Sequence, residues 1–521
     1  MRHPWPLVGR LVLLLSLCLA VAACDMDLLQ PEAPTASPTP TIASIPTPTL
    51  DATPREIVIL HTSDEHGHLE PATNGGFLEG GASLASALWA DGGHNPLAAN
   101  GNVLLLSGGD NWTGPAASTW FQGESTVEVM NAMGYRASVP GNHEFDFGQE
   151  ALDARLAQAQ FPYLAANVFD AATGELSERF QPYTIVTVNG IRVGIIGLAL
   201  RSTPSSTAAK GLTGLRFGDY EPALRQWAPV VRSEGAQVLV VETHACTEEL
   251  LWLAQAVEDL DIAVLLGGHC HSAMLSRQGD TLIGTSAGEW RDYVLTRLTV
   301  DPTSGEIVAR EQDLVDVLWP ANRPTPAAPA AVQQAVDKWQ ARVELALGEV
   351  IGYTASGLSQ RAPAMHNLLV DAWLWAYPNA QLAISNTGGF RAGLDRGEIT
   401  LQEVVGVLPF ENELLEIELT GAQIVEALTA APEALVVGGG RLQNGRLVLA
   451  DGTPARADEV YRVLVIDYLY DNAKYPFARY DPEPYETSIH WRQPAIDWIR
   501  AQRTTASRPL ETLLDPMQRL P

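Results

Sequence analysis

Four short apolar runs in this chain each stop on a polar cluster, and no other feature narrows the fold as much. Ile57-Val58-Ile59-Leu60 ends in His61-Thr62-Ser63-Asp64, and Val103-Leu104-Leu105-Leu106 ends in Ser107-Gly108-Gly109-Asp110. The run Gln237 to Val241 ends in Glu242-Thr243-His244, and Ile262 to Leu266 ends in Gly267-Gly268-His269-Cys270-His271. Continuous apolar runs of this length read as strands buried on both faces. In layered α/β proteins, sites assemble where such strands end. A fifth cluster, Gly141-Asn142-His143-Glu144-Phe145-Asp146, follows Ser138-Val139-Pro140 and belongs on a tight loop just after a strand. Two hairpins complete the pattern: Asn189-Gly190 between Val186 and Val193, and Asp301 to Gly305 between Tyr293–Val300 and Glu306–Val315. The expected fold class is therefore α/β, a sandwich of mixed sheets.

The polar tips share one chemistry. Asp64 and His66 lie two apart on one side of an extended turn; Asp110 adds a carboxylate and Asn142 an amide oxygen. His244, His269 and His271 add three imidazoles. Mixed carboxylate, imidazole and amide donors suit a borderline divalent ion such as zinc, manganese or iron. Seven donors exceed what one such ion takes, but serve two if one carboxylate bridges. Paired cations roughly 3.5–4 Å apart are the usual device for phosphoester hydrolysis. His143 can then stabilise the transition state or protonate a leaving oxygen, with Asp146 fixing its tautomer.

With 521 residues the chain is too long for one core, so two globular domains plus extras are expected. A formal charge of −28 excludes nucleic acid as a partner, because polyanion binding needs a basic footprint. A small phosphate remains compatible: the background field is screened beyond about 8 Å, and bound cations dominate locally.

At the N-terminus, Arg2 and Arg10 precede an apolar run, Leu11 to Ala23, too short to span a bilayer. It closes on Val21-Ala22-Ala23-Cys24, which resembles a bacterial lipobox whose cysteine receives lipid. Residues 1–24 are thus expected to be a lipoprotein signal peptide and 25–54 a Pro/Thr-rich tether. A catalytic domain is expected over 55–318. Pro320, Pro324, Pro326 and Pro329 then mark a linker over 319–347 that includes a helix from Ala330 to Leu347, and a second domain follows over 348–521.

Together, Asp64-x-His66, Gly108-Gly109-Asp110, Gly141-Asn142-His143-Glu144, Thr243-His244 and Gly268-His269-x-His271 resemble the calcineurin-like metallophosphoesterases. Leu60 to Asp64 and Gly141 to Asp146 are similar to the exported bacterial 5′-nucleotidase branch. The resemblance implies a four-layer β-sandwich flanked by helices, followed by a smaller α/β domain. It implies that Asp64, His66, Asp110 and His271 hold one ion, that Asp110, Asn142, His244 and His269 hold the other, and that His143 with Asp146 is the catalytic dyad. His61 is expected to be structural and His68 to stand behind the ligands. Where the family has glycine two residues after its His244 equivalent, this chain has Cys246, near Cys270. The pair either forms a disulfide tying two loops together or stays as two buried free thiols. The sequence favours the thiols, and a Cα separation beyond about 7 Å would exclude the bond.

In the second domain, Asn386-Thr387-Gly388-Gly389-Phe390-Arg391 follows the strand Leu382-Ala383-Ile384, and Val407 to Asn412 places Phe410 on a loop. Both motifs resemble the C-terminal domain of 5′-nucleotidases, which implies substrate roles for Asn386, Arg391 and Phe410. The family's Gly-Gly-Asp-Gly-aromatic turn appears as Asn472-Ala473-Lys474-Tyr475-Pro476-Phe477. On that resemblance Tyr475 is the expected second stacking ring or a core residue, Asp481 a ribose ligand, and Arg361 a further cation. The implied function is extracytoplasmic two-metal phosphohydrolysis, most simply of nucleoside 5′-monophosphates, by an enzyme lipid-anchored at the cell surface. Alternatives are UDP-sugars, cyclic nucleotides or a sulfur-group ester as substrate, or a surface lipoprotein that binds nucleotides without cleaving them. No signal for oligomeric state is present.

Overall fold

The strand Arg55–Thr62 lies at the centre of a five-stranded sheet, between Asp292–Val300 and Val103–Ser107. The computed structural model describes residues 53–98, 101–430 and 435–520; the leader, Cys24 and the tether up to residue 52 lie outside them. Ile307–Asp316 and Ala137–Ser138 form the edges of this sheet. The strand pairs in parallel with Val103–Ser107 and antiparallel with Asp292–Val300. A second sheet of six strands runs Met274–Gln278, Thr281–Thr285, Val264–Gly267, Val238–Thr243, Ile191–Leu198, Tyr183–Val188. The expected Asn-Gly hairpin joins its last two strands, with Asn189 and Gly190 at φ 47° and 75°.

Alternation along the strands explains the layering. Ile57 and Ile59 meet Val193, Ile195, Val238, Val240, Val264 and Leu266 between the two sheets. Val58 and Leu60, facing the other way, pack with Trp89, Val127 and Met130 beneath the helices Ala82–Asp91 and Glu124–Met133. On the far side, Leu239, Val241 and Leu265 pack with residues of the helices Tyr220–Ser233 and Thr247–Ala256. The result is helix, sheet, sheet, helix, the expected four layers.

Residues 319–347 are packed against this unit. Leu318–Pro320 pairs with Phe77–Glu79. The helix Ala330–Leu347 buries Val332, Ala335, Val336 and Trp339 in the first core, while Val343 and Leu347 meet Val405. The Arg342 guanidinium covers the Trp339 ring at 4.1 Å.

Beyond the helix, a five-stranded sheet runs Leu435–Gly438, Leu382–Asn386, Val460–Ile466, Glu413–Thr420, Tyr485–His490, over its own core. Buried Trp491 organises its upper edge. Its indole N–H donates to the Phe410 carbonyl at 2.7 Å, fixing the loop that carries that ring. Its ring also lies 3.0 Å from where a Cβ on Gly389 would stand, so a side chain in the turn after Leu382–Asn386 would crowd the indole.

Candidate active site

The five clusters converge at one end of the first sandwich. Asp64 accepts two bonds from the His269 backbone N–H, at 2.9 and 3.0 Å. The His66 Nδ1–H donates to the Thr113 carbonyl at 2.7 Å, since a carbonyl can only accept. This turns its Nε2 lone pair toward His271 Nε2, 3.1 Å away. His244 likewise donates through Nδ1 to the Gly108 carbonyl and aims Nε2 at Asp110 Oδ2, 2.9 Å away. The other Asp110 oxygen accepts the His143 backbone N–H at 2.8 Å. Asn142 Oδ1 is buried with no partner among the described residues.

Three overlapping sets of donor atoms therefore lie within 4.8 Å of one another: Asp64, His66 and His271; His66, Asp110 and His143; Asp110, His244 and His269. Converging lone pairs of this kind are stable only around positive charge, so the donor set fits divalent metal ions. Protonation follows the same logic. Burial, the Arg391 charge and the neighbouring imidazoles hold His66 well below its ordinary value, and burial with His244 lowers His269 to about 4. Both are thus neutral and ligand-ready. Burial would also lower His244, but Asp110 reverses this and raises it to about 10. A positive charge belongs between that pair, whether proton or metal ion.

The local backbone is strained around this arrangement. Asp64, His66, Asp110, His269 and His271 all have positive φ, from 46° to 76°. Non-glycine residues pay roughly 1–3 kcal/mol each in sparsely populated conformations, which persist only where the surroundings hold them. Gly141 is required beside them, because a Cβ there would lie 2.1 Å from Asp110 Oδ1. Glu144 supplies much of the support. Its carboxylate accepts the backbone N–H groups of Asp110, Gly141 and Asn111 at 2.9, 2.6 and 2.8 Å. Burial and the adjacent Asp110 charge push Glu144 up to about 7 against the pull of those donors.

His143 stands over this centre, with Nε2 at 3.9 Å from Asp110 Oδ2. Its Nδ1 bonds to Asp146 at 2.7 Å, and the other Asp146 oxygen accepts the Thr207 hydroxyl at 2.6 Å. Burial opposes charge on His143, but Asp146 and Asp110 outweigh it and raise its pKa. His61 lies fully buried below, bonded to Glu242 and the Gly267 carbonyl, as a structural residue would be. His68 faces Glu289 at 3.8 Å, behind His66.

Cys246 and Cys270 form a disulfide, with Cα atoms 5.3 Å apart, correcting the expectation of free thiols. They follow the adjacent parallel strands Val238–Thr243 and Val264–Gly267. Neighbouring strands lie about 4.8 Å apart, inside disulfide range. The motifs placed the two loops together, but not whether the two thiols meet, which the pairing of the strands decides.

The second sheet unit closes over the centre. Arg391 Nη2 lies 3.4 Å from His66 Nε2, and the Phe410 ring stacks on His143 at 5.7 Å between centroids. Between them is a cavity of about 310 Å³ whose wall includes Asn142, His143, His269, Asn386, Arg391 and Phe410. Three other expected residues are elsewhere. Arg361 is exposed and not part of the wall. Tyr475 is buried in the second core, stacked on Phe477 at 6.1 Å. Asp481 accepts the Glu418 backbone N–H at 2.8 Å. The wall instead contains Tyr468 and Lys474. Tyr468 comes two residues after the strand Val460–Ile466. That is the kind of strand-end position at which the first cluster was found.

Two mixed sheets with carboxylate and imidazole donors gathered at their strand ends define the metal-dependent phosphoester hydrolases. Residues 57–273 match the family model for calcineurin-like phosphoesterase, and residues 349–477 match that for 5′-nucleotidase, C-terminal domain. The chain belongs to the calcineurin-like phosphoesterases that carry a 5′-nucleotidase C-terminal domain. It is 27% identical over 497 residues to 5′-nucleotidase of Bos taurus, covering 80% of this chain and 83% of that one. It is 28% identical over 431 residues to the trifunctional nucleotide phosphoesterase protein YfkN of Bacillus subtilis, covering 74% of this chain but only 28% of that longer one. The crystal structure of a 5′-nucleotidase precursor from Thermus thermophilus aligns with a TM-score of 0.72 at 25% identity, covering 89% and 99% of the two chains.

Proposed function

We propose that this enzyme releases phosphate from nucleoside 5′-monophosphates outside the cytoplasm, anchored through lipid on Cys24. Residues 55–318 would carry the chemistry, 319–347 join the units, and 348–521 hold the nucleoside. The observation that carries this reading is the shared cavity, in which a cation and an aromatic ring from the second unit face the donor cluster of the first. The nucleotide-acting relatives support it, and the export-type leader supports the location.

On this reading Asp64, His66, Asp110 and His271 hold one ion and Asp110, Asn142, His244 and His269 the other, zinc, manganese or a similar metal. Bound there, such ions lower the pKa of a water and neutralise phosphate charge. The chain's own residues do the rest. Arg391 grips a phosphate oxygen with its planar fork. Phe410 stacks on the base, a contact of roughly 1–3 kcal/mol. Water adds to phosphorus as the bond to the 5′ oxygen breaks, and His143, held by Asp146, protonates that leaving oxygen.

A phosphate-release screen across mononucleotides, cyclic nucleotides, UDP-sugars and a sulfur-group ester, repeated with different added metals, tests the substrate. The mononucleotides should give the highest kcat/KM. A higher value for another class would overturn the assignment, and binding without cleavage under every metal would make the protein a nucleotide-capturing lipoprotein. For location, Cys24→Ser should move the exported protein from the membrane fraction to the soluble one.

A further inference from the structure

Beyond the groups assigned to the phosphate and the base, the cavity wall carries further charged side chains. The wall contains two carboxylates, Asp146 and Glu411. Both are engaged: Asp146 with His143 and Thr207, and Glu411 with Arg492 at 2.8 Å and His490 at 3.3 Å. Of the wall's lysines, Lys210 is tied to Asp467 at 3.1 Å and to the Glu411 carbonyl at 2.7 Å. Lys474 is different. Among the described residues no carboxylate lies within ion-pair distance of its ammonium group, although the chain as a whole carries a net charge of −28. Its loop is held against the first unit, because the Asn472 side-chain amide donates to the Ser205 carbonyl at 3.2 Å. The loop that carries the lysine is therefore held at the cavity wall, with the lysine side chain itself exposed.

Sugar hydroxyls and sugar phosphates call for opposite wall chemistry. A free carboxylate accepts hydrogen bonds from a ribose diol, whereas a cation accommodates a phosphate in the same place. With Arg391 assigned to the 5′ phosphate, this wall offers no uncommitted carboxylate and one further cation, Lys474. We propose that Lys474 is a specificity-determining residue that selects nucleotides bearing a second phosphate on the ribose, at the 2′ or 3′ position, for hydrolysis at the 5′ phosphate. The proposal rests on the nucleotide reading above. The reaction is unchanged: water adds to the 5′ phosphorus, the bond to the 5′ oxygen breaks, that oxygen takes a proton, and the ribose phosphate stays on the product. Lys474 only orients and retains the substrate. A charge-assisted contact at a partly solvated position should favour the bisphosphate about tenfold and weaken with added salt.

The test compares kcat/KM for adenosine 5′-monophosphate, adenosine 2′,5′-bisphosphate and adenosine 3′,5′-bisphosphate, with p-nitrophenyl phosphate as a substrate that has no ribose. Products are separated by chromatography, so that loss of the 5′ phosphate is distinguished from loss of the other. The full-length enzyme should prefer one bisphosphate about tenfold over the monophosphate. That ratio should fall to one or below in K474D, fall less in K474Q, and survive in K474R. Unfolding curves of the variants confirm that the ratios are read on folded protein. A wild-type ratio of one or below, or a ratio that K474D leaves intact, overturns the inference while the monophosphate activity still supports the nucleotide reading. Hydrolysis of p-nitrophenyl phosphate with no cleavage of any nucleotide overturns both.

Discussion

Replacing Glu144 by glutamine should loosen the whole centre, although Glu144 is not a candidate ligand. One carboxylate oxygen takes the N–H groups of Asp110 and Gly141, and the other takes the N–H and the side-chain amide of Asn111. Glutamine keeps one oxygen and sets an NH₂ group against the remaining two donors. Each buried donor left unpaired costs about 1–3 kcal/mol, so two cost about 2–6. The loss falls where Asp110 is held at φ 56°, a conformation that relaxes once its N–H is released. Its carboxylate would then turn away from His244. Thermal unfolding, metal content per chain and phosphate release should be measured at pH 8, where a group with a pKa of about 7 is ionised in the parent protein. All three should drop in E144Q. A variant that melts like the parent and retains its metal would show that the carboxylate does not hold this loop in place.

Further outcomes can be checked alongside. His143→Ala should lower turnover by about 10²–10⁴ with metal still bound; unchanged turnover removes it from proton transfer. Phe410→Ala should raise KM for nucleotides more than for p-nitrophenyl phosphate, and equal effects would take the ring out of base recognition. Breaking the Cys246–Cys270 bond, which closes a separation of 24 residues, should cost about 3 kcal/mol in calorimetry and ease metal loss from the loops of His244 and His269; a melting curve indifferent to reductant counts against that clamp. For Glu411, burial raises the pKa but His490 and Arg492 outweigh it, so the native value lies below the ordinary 4.5. A depressed carboxylate stabilises the fold above its unfolded pKa, and that stability is lost as pH falls through the native value. Glu411→Gln should therefore flatten the acid limb of a stability profile below about pH 4.5, and an unchanged limb would contradict the pairing.

Local order along the chain determined much of this protein. Apolar runs ending in ligand-type residues needed no tertiary information, because a buried strand is written as a continuous run and its exit as a polar tip. That sufficed for the sandwich and for the candidate ligands now gathered around Asp110, while Asn386, Arg391 and Phe410 were reached through the resemblance of their motifs. Spatial adjacency was decided only by the fold. The motifs set Cys246 and Cys270 on neighbouring loops, but the parallel pairing of their strands decided that the thiols meet and bond. Tyr475 turned inward because its side chain found Phe477 and a core, leaving Tyr468 and Lys474 at the cavity. Glu144 acquired its role from three backbone N–H groups that only the folded loops bring within reach. A sequence specifies which groups are available; which of them meet depends on contacts between distant segments.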